Sequence, residues 1–273
     1  MMRMTETVKQ LLILNVLFYI GSNTIAPAAY DLLALHFPLS NSFQWWQPLT
    51  HMFMHAKMPH LMHIFFNMFG LVMFGSALEH FWGAKKFLFF YISCGLGAAL
   101  IHTGMQYYEF QKLLEAASDL GLSSETLKQV INVPFRDGNM YVGEKLAENI
   151  KPILEPIGKY DLLNETNFKA LFQASIIADG SAVGASGALY GILVAFAFMF
   201  PNAELMLLFL PIPIKAKYFV PFLVLGDLFM GLKGESIFGG GGIAHFAHVG
   251  GALTGFLMMW IWKRNQFNDK RWN

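Results

Sequence analysis

The sequence is short of charge and almost without cysteine. Of its 273 residues only 14% are charged while 55% are hydrophobic, and the mean hydropathy is +0.44. A soluble domain carries roughly 25% charged residues, so the chain lacks the polar surface that water requires. An ordinary soluble globule is excluded, and a polytopic membrane protein is the reading that remains. The formal net charge is +1, which leaves no basic surplus to hold a phosphate backbone and so no case for nucleic acid as a partner. The single cysteine, Cys94, excludes an internal disulfide framework and any cysteine-based zinc site. It lies in an apolar run and reads as a packing residue.

What the chain has in quantity is phenylalanine and methionine, 27 and 16 residues, types that suit lipid-facing and gap-filling positions. Six apolar runs stand out near 8–28, 61–79, 86–107, 186–200, 217–232 and 245–262. The first ends in Ala26-Pro27-Ala28, which imitates a signal-peptide cleavage site. Glu6 spoils the basic leader and Asn15 interrupts the apolar centre, so it is read as a retained helix. With the N-terminus inside, the cytoplasmic segments hold Arg3, Lys9, Lys85, Lys86, Lys215, Lys217, Lys263, Arg264, Lys270 and Arg271 against Glu6, Glu204 and Asp269. Six spans with both termini cytoplasmic satisfy the positive-inside rule. The expected fold is therefore all-α, one membrane domain over 1–273. No organelle-targeting leader is visible, so a bacterial plasma membrane is the expected location.

Between the third and fourth runs lies the one soluble-looking stretch, 108–180, an extracytoplasmic insertion with seven basic and eleven acidic residues. Ser123-Ser124-Glu125 reads as a helix start. Phe168, Leu171, Phe172, Ser175 and Ile176 recur at helical spacing and predict an amphipathic helix lying on the membrane surface.

The fourth run opens on Gly184-Ala185-Ser186-Gly187-Ala188-Leu189-Tyr190-Gly191, a lone hydroxyl among residues without bulk. From Ser186 to Phe200 a helix covers only about 22 Å at ~1.5 Å per residue, against a hydrocarbon core of about 30 Å. Ser186 then starts its helix below the outer surface. Backbone N–H groups there need a cavity and can stabilise an anion. In the sixth run, His248, Gly251 and Gly255 share one helical face. Gly251/Gly255 and Gly187/Gly191 are matching small-xxx-small seams, able to bring the His248 imidazole to the Ser186 hydroxyl. The bland alternative is a glycine contact with an incidental histidine, but ionisable groups inside membranes are rare and usually functional. His245 lies nearer the loop and reads as structural. In the second run, His63 and Asn67 stand four apart on one helix face. Two neutral donors at a developing oxyanion would be worth roughly 2.7–4 kcal/mol each. A metal reading competes, because His51 and His55 also have ligand spacing, yet no His-Glu-x-x-His run and no assisting cysteine occur.

These three motifs together (GASGALYG, His63-Ile-Phe-Phe-Asn67 after Thr50-His-Met-Phe-Met-His55, and Ala244-His-Phe-Ala-His-Val-Gly-Gly-Ala-Leu-Thr-Gly255) resemble the rhomboid intramembrane serine proteases. They fall in that family's order, and the resemblance runs from about Trp45 onward, without most of 108–180. It implies a six-helix bundle with Ser186 as nucleophile and His248 as general base, a dyad without an aspartate. His63, Asn67 and the Ser186 N–H would form the oxyanion hole. Tyr190 would pack against His248, with Gly184, Gly187, Gly251 and Gly255 supporting the site. Glu79 matches a structural acid of the family, His51 and His55 match histidines beneath the first outer loop, and Asp227 would brace the outer end of span five. Substrates would be transmembrane proteins reached from the outer side, with no cofactor and no metal. Entry would pass span five, where Phe219, Phe222 and Phe229 are gate or lipid-facing residues, and the loop Lys233–Ile243, whose Gly239–Gly242 run would act as a cap. One departure is Trp46-Gln47 where many relatives carry Trp-Arg, which leaves the fastening of the first loop open. Two other readings remain. One is a proteolytically silent rhomboid-like protein that holds membrane clients; the other is a metal transporter lined by His51, His55, His60 and His63.

Overall fold

The computed structural model describes residues 3–207, 210–234 and 243–266, which are largely helical. The longer helices are α1 (Glu6–Ile25), α2 (Leu61–Trp82), α3 (Ala84–Ala116), α4 (Ser124–Ile131), α5 (Gly143–Leu154), α6 (Glu165–Asp179), α7 (Ser186–Met199), α8 (Ala216–Lys233) and α9 (Ile243–Gln266). Each of α1 and α2 contains a wider π turn, over Gly21–Ile25 and Leu71–Gly75. The chain divides into two compact units. One comprises Met1–Ala34, Trp46–His102 and Ala182–Asn273, and the other Leu35–Trp45 and Thr103–Ser181.

The first unit carries the apolar runs. Among the described residues four helices are long and apolar enough to cross a membrane: α1, α2, α3 and the Ala244–Lys263 part of α9. Six were expected, and the two others differ for separate reasons. Helix α7 is apolar throughout but only 14 residues long, as the early start at Ser186 and the break at Pro201-Asn202 dictate. Helix α8 has 18 residues but carries Lys217, Asp227 and Lys233. Large apolar side chains on the outer faces stay exposed, among them Leu17 at 61%, Phe222 at 77% and Leu225 at 63%. Stripes of this kind suit a bilayer rather than water. After α7 the chain forms an antiparallel hairpin, Glu204–Leu207 against Leu210–Lys215.

Glu79 ties α1 to α2. Its carboxylate accepts the Thr7 and Val8 backbone N–H groups at 3.0 Å each, and the Thr5 hydroxyl. These are N–H groups of the first turn of α1, which no helical carbonyl can satisfy, and an anion there also complements the helix dipole. The carboxylate is buried, so its loss would strand two buried donors. Glu79→Ala is expected to cost about 1–3 kcal/mol, read as a lower melting midpoint in detergent.

The second unit has its own core. Ser123 caps α4 by accepting Thr126 N–H at 3.1 Å, as the sequence pattern predicts, and Asn164 and Asn167 form a reciprocal capping box on α6. The apolar stripe of α6 does not lie free for a membrane surface. Leu171 is fully buried beside Leu120, Val130, Phe135, Leu146, Ile150 and Leu154, with Phe168, Phe172 and Ile176 packed around them. The periodicity was right; its partner is protein, supplied by α4 and α5, whose own apolar stripes need covering. Residues 35–45 also belong here. Phe37 packs on Phe110 with ring centroids 5.1 Å apart, and Asn132 bonds Leu39 O at 3.0 Å and Asn41 N–H at 2.7 Å.

Candidate active site

The site begins with a helix contact that glycine alone permits. A Cβ at Gly251 would fall inside the van der Waals envelope of the Gly187 carbonyl, and one at Gly255 would stand 2.7 Å from Gly191 Cα. Helices α7 and α9 therefore meet backbone to backbone along the two glycine seams, where dispersion between closely approaching chains replaces side-chain packing. Cys94 is buried against Gly191, which agrees with its reading as a packing residue. Ser186 is the first residue of α7, and His248 stands one turn before Gly251 on α9. The seam carries the two side chains together: His248 Nε2 lies 2.8 Å from Ser186 Oγ.

Around this pair the geometry is closely specified. The Tyr190 ring, one turn after Ser186, stacks on the His248 imidazole with centroids 4.3 Å apart and planes 8° from parallel. On the far edge of the imidazole, Nδ1 lies 3.2 Å from Asp227 Oδ1 on α8. The same carboxylate takes the Tyr190 hydroxyl and His245 Nδ1. Asp227, expected only as a brace for span five, thus meets Tyr190 and both histidines, contacts that a helix-phase argument from sequence does not give because it cannot fix the rotation of α8 about its axis. His245 is indeed not in contact with Ser186; its partner is Asp227. Donor atoms of Asp227, His245 and His248 all lie within 4.8 Å of one another, but they are already paired among themselves by hydrogen bonds.

The first loop supplies the opposite wall. His51 is buried, its Nδ1 sharing a hydrogen with Gln47 O at 3.1 Å, and its own carbonyl accepts Gly184 N–H at 3.0 Å. Gly184 has φ +129°, a conformation that side-chain-bearing residues rarely adopt. A Cβ there would stand 3.2 Å from His63 Nε2 and 3.5 Å from Ser186 Oγ, so the glycine keeps open the space between imidazole and hydroxyl. His63 Nδ1 accepts Ala56 N–H at 3.2 Å. In neutral imidazole one nitrogen accepts and the other donates, so Nε2, the atom facing that space, carries the hydrogen. Asn67 stands one turn beyond His63 on the same helix, with part of its amide already engaged. Its amide donates to the His63 carbonyl at 2.7 Å, and its Oδ1 is buried without a partner among the described residues. An asparagine inside a helix competes for the carbonyl four residues back, so one of its N–H groups is taken by its own helix.

Gln47 answers the question of how the loop is fastened without arginine. It is buried, and its amide reaches the Asp31 and Leu32 carbonyls at 3.4 Å each, while Thr50 Oγ1 donates to Leu33 O at 2.8 Å. His55 Nε2 bonds Asn15 Oδ1 at 2.8 Å, which uses the asparagine that interrupts the first apolar run. Of the three phenylalanines on span five, Phe222 and Phe229 are exposed while Phe219 packs with Val194, Val220 and Ala252. The Gly239–Gly242 cap, Lys270 and Arg271 lie outside the described residues.

The rhomboid-domain family model matches residues 42–123 and 163–265, and thus all three motif segments. The chain belongs to the rhomboid family. Two curated rhomboids are similar to it. "Rhomboid protease AarA" of Providencia stuartii is 29% identical over 175 residues, covering 60% of this chain and 59% of its own. "Rhomboid protein 1, mitochondrial" of Saccharomyces cerevisiae is 31% identical over 115 residues, covering 36% of this chain and 32% of its own. The chain thus spans less than two thirds of the length of either relative. As a rhomboid with several membrane-crossing helices, it is an integral multi-pass membrane protein. The stretch left unmatched between the two family segments, 124–162, is narrower than the insertion drawn from charge and hydropathy at 108–180.

Proposed function

We propose that this rhomboid is an intramembrane serine endopeptidase that cleaves transmembrane proteins in or beside the bilayer. The observation that carries the reading is the 2.8 Å approach of His248 Nε2 to Ser186 Oγ. An imidazole lone pair facing a hydroxyl makes a nucleophile from a group that is weak by itself. Ser186 Oγ attacks the substrate carbonyl carbon as its proton passes to His248 Nε2. The tetrahedral oxyanion is met by His63 Nε2–H and the Ser186 backbone N–H, the latter left without a helical acceptor at the start of α7. His248 gives its proton to the leaving amine, and a water activated by the same imidazole releases the acyl group. Asn67 serves the oxyanion through the amide hydrogen not taken by its helix. Since a transmembrane helix hides its peptide bonds in hydrogen bonds, the cleaved segment should unwind locally, near glycine, proline or other small residues.

In this reading the chain is one membrane domain of six spans. Helices α7 and α8 complete the four longer ones, both termini face the cytoplasm, and the site opens outward from a bacterial plasma membrane. The 108–180 stretch lies outside the membrane, and entry passes span five. A histidine-lined transport path is less well supported, because the donor set that gathers among the described residues is Asp227, His245 and His248 rather than the His51, His55, His60 and His63 series. The test is reconstitution into lipid vesicles with a transmembrane substrate. His63→Ala is expected to lower kcat by about 10²–10³-fold with little change in KM, because its contact strengthens only as negative charge develops. A His63→Ala variant that cleaves at the wild-type rate would remove this residue from the oxyanion site.

A further inference from the structure

One acidic side chain inside the membrane region is bonded on both of its oxygens to the groups around the serine. Asp227 is 10% exposed. Its Oδ1 accepts from Nδ1 of His248 at 3.2 Å and from Nδ1 of His245, and its Oδ2 accepts from the Tyr190 hydroxyl. The contacts join three helices: α7 through Tyr190, α8 through Asp227 and α9 through both histidines.

An ionised carboxylate is acceptor-only, so each imidazole nitrogen that faces it must carry a hydrogen. With Nδ1–H fixed, His248 Nε2 is left with its lone pair, and that is the atom 2.8 Å from Ser186 Oγ. The carboxylate therefore selects the one neutral tautomer of His248 that can take the serine proton. It acts on the ring a second way. Tyr190, whose ring covers the imidazole face, is itself held at the hydroxyl by Asp227, so edge and face of His248 are anchored to one residue. His245 does not compete for the serine; its Nε2 is buried without a partner among the described residues. Its bond to Asp227 limits how far the carboxylate can turn.

We propose that Asp227 is a positioning residue for the general base, setting the tautomer and orientation of His248 and stabilising the imidazolium formed when Ser186 is deprotonated. In that step the Ser186 O–H bond breaks and a His248 Nε2–H bond forms. Asp227 keeps its charge and receives no proton. The inference rests on the peptidase reading above and supplies it with a third member held on span five. An aspartate that served only to pin α8 to α9 would have no need to address Nδ1 of the residue facing the serine.

The experiment compares wild type, Ser186→Ala, Asp227→Asn and Asp227→Glu, each as the full chain in vesicles with a transmembrane substrate. Rates of wild type and the Asp227 variants are expressed per serine titrated by a fluorophosphonate probe, so that misfolded protein does not enter kcat, and that of Ser186→Ala per mole of reconstituted protein. Asp227→Asn is expected to lower kcat by about 10²–10⁴-fold, with KM within about threefold of wild type. Asp227→Glu is expected to recover part of the loss. Histidine 15N spectra of the uncatalysed protein should show the His248 proton on Nδ1 in wild type and shared between the two nitrogens in Asp227→Asn. Wild-type kcat per titrated serine in Asp227→Asn would overturn the proposal. So would a loss matched by the fall in titratable serine with the His248 tautomer unchanged, which is the pattern of a structural brace. If Ser186→Ala cleaves as well as wild type, the peptidase reading itself fails. If Ser186→Ala is inactive while Asp227→Asn is not, only the role of Asp227 does.

Discussion

Ser186→Ala and His248→Ala are each expected to lower cleavage of a transmembrane substrate by a factor on the order of 10⁴–10⁶, and the double variant to be no worse than either alone. The pair acts as a unit. Without the hydroxyl the imidazole has no proton to take, and without the imidazole the hydroxyl remains a poor nucleophile. The rate that survives comes from whatever the oxyanion donors and substrate binding supply by themselves. Quantifying cleavage products by mass spectrometry after reconstitution gives the three numbers directly. A double variant whose loss is the product of the single losses would mean that the 2.8 Å contact is not used in the reaction. A wild-type protein that retains the substrate but never cuts it would favour the client-holding alternative.

Much of this arrangement is legible in the sequence because membrane helices obey simple periodicities. The glycine seams at 187/191 and 251/255 predict which faces of α7 and α9 approach; Ser186 directly precedes the first seam and His248 stands one turn before the second. The shortness of α7, which ends at Met199 after 14 residues, is likewise foreseen to within a residue, since Pro201 cannot continue a helix. What the sequence does not carry is side-chain direction across helices whose rotation is unset. Asp227 lies on α8, which has no glycine seam to fix its phase, so its reach to three partners is visible only in three dimensions. For Asn67 the spacing gives the shared face with His63, but it does not show that one amide hydrogen is taken by the carbonyl four residues back in its own helix.

The second unit shows the same limit. A charge surplus and a helical stripe were enough to mark 108–180 as distinct and to place an amphipathic helix near 168–176. They could not say what the stripe packs on. Its partners Val130, Leu146 and Ile150 come from segments whose own stripes are just as plain, and a stripe looks identical whether lipid or a neighbouring helix covers it. Residues 35–45 carry no such signal, for they join the unit through Phe37 and the bonds of the Asn132 side chain to the Leu39 and Asn41 backbone rather than through any pattern of their own.

The second large effect is expected from one added methyl group. In Gly251→Ala the new Cβ meets the carbonyl and Cα of Gly187, all backbone atoms with no rotamer to escape into. Helices α7 and α9 must then part, which adds a packing penalty of about 1–3 kcal/mol or more. The kinetic cost should be larger than the thermodynamic one. Gly187 follows Ser186 directly and Gly251 stands one turn beyond His248, so separation at the seam opens the contact between hydroxyl and imidazole. A misplacement of about 1 Å at a reacting pair costs roughly 10²-fold in rate. Gly251→Ala should therefore lose at least that much activity, together with a lower melting midpoint in detergent. Gly104→Ala is the matched comparison, since a Cβ there meets nothing within 4 Å. It replaces glycine in a helix and is expected to be neutral or to gain up to about 1 kcal/mol. If Gly251→Ala melted and cleaved as Gly104→Ala does, the backbone contact of α7 with α9 would not be what holds serine and histidine together.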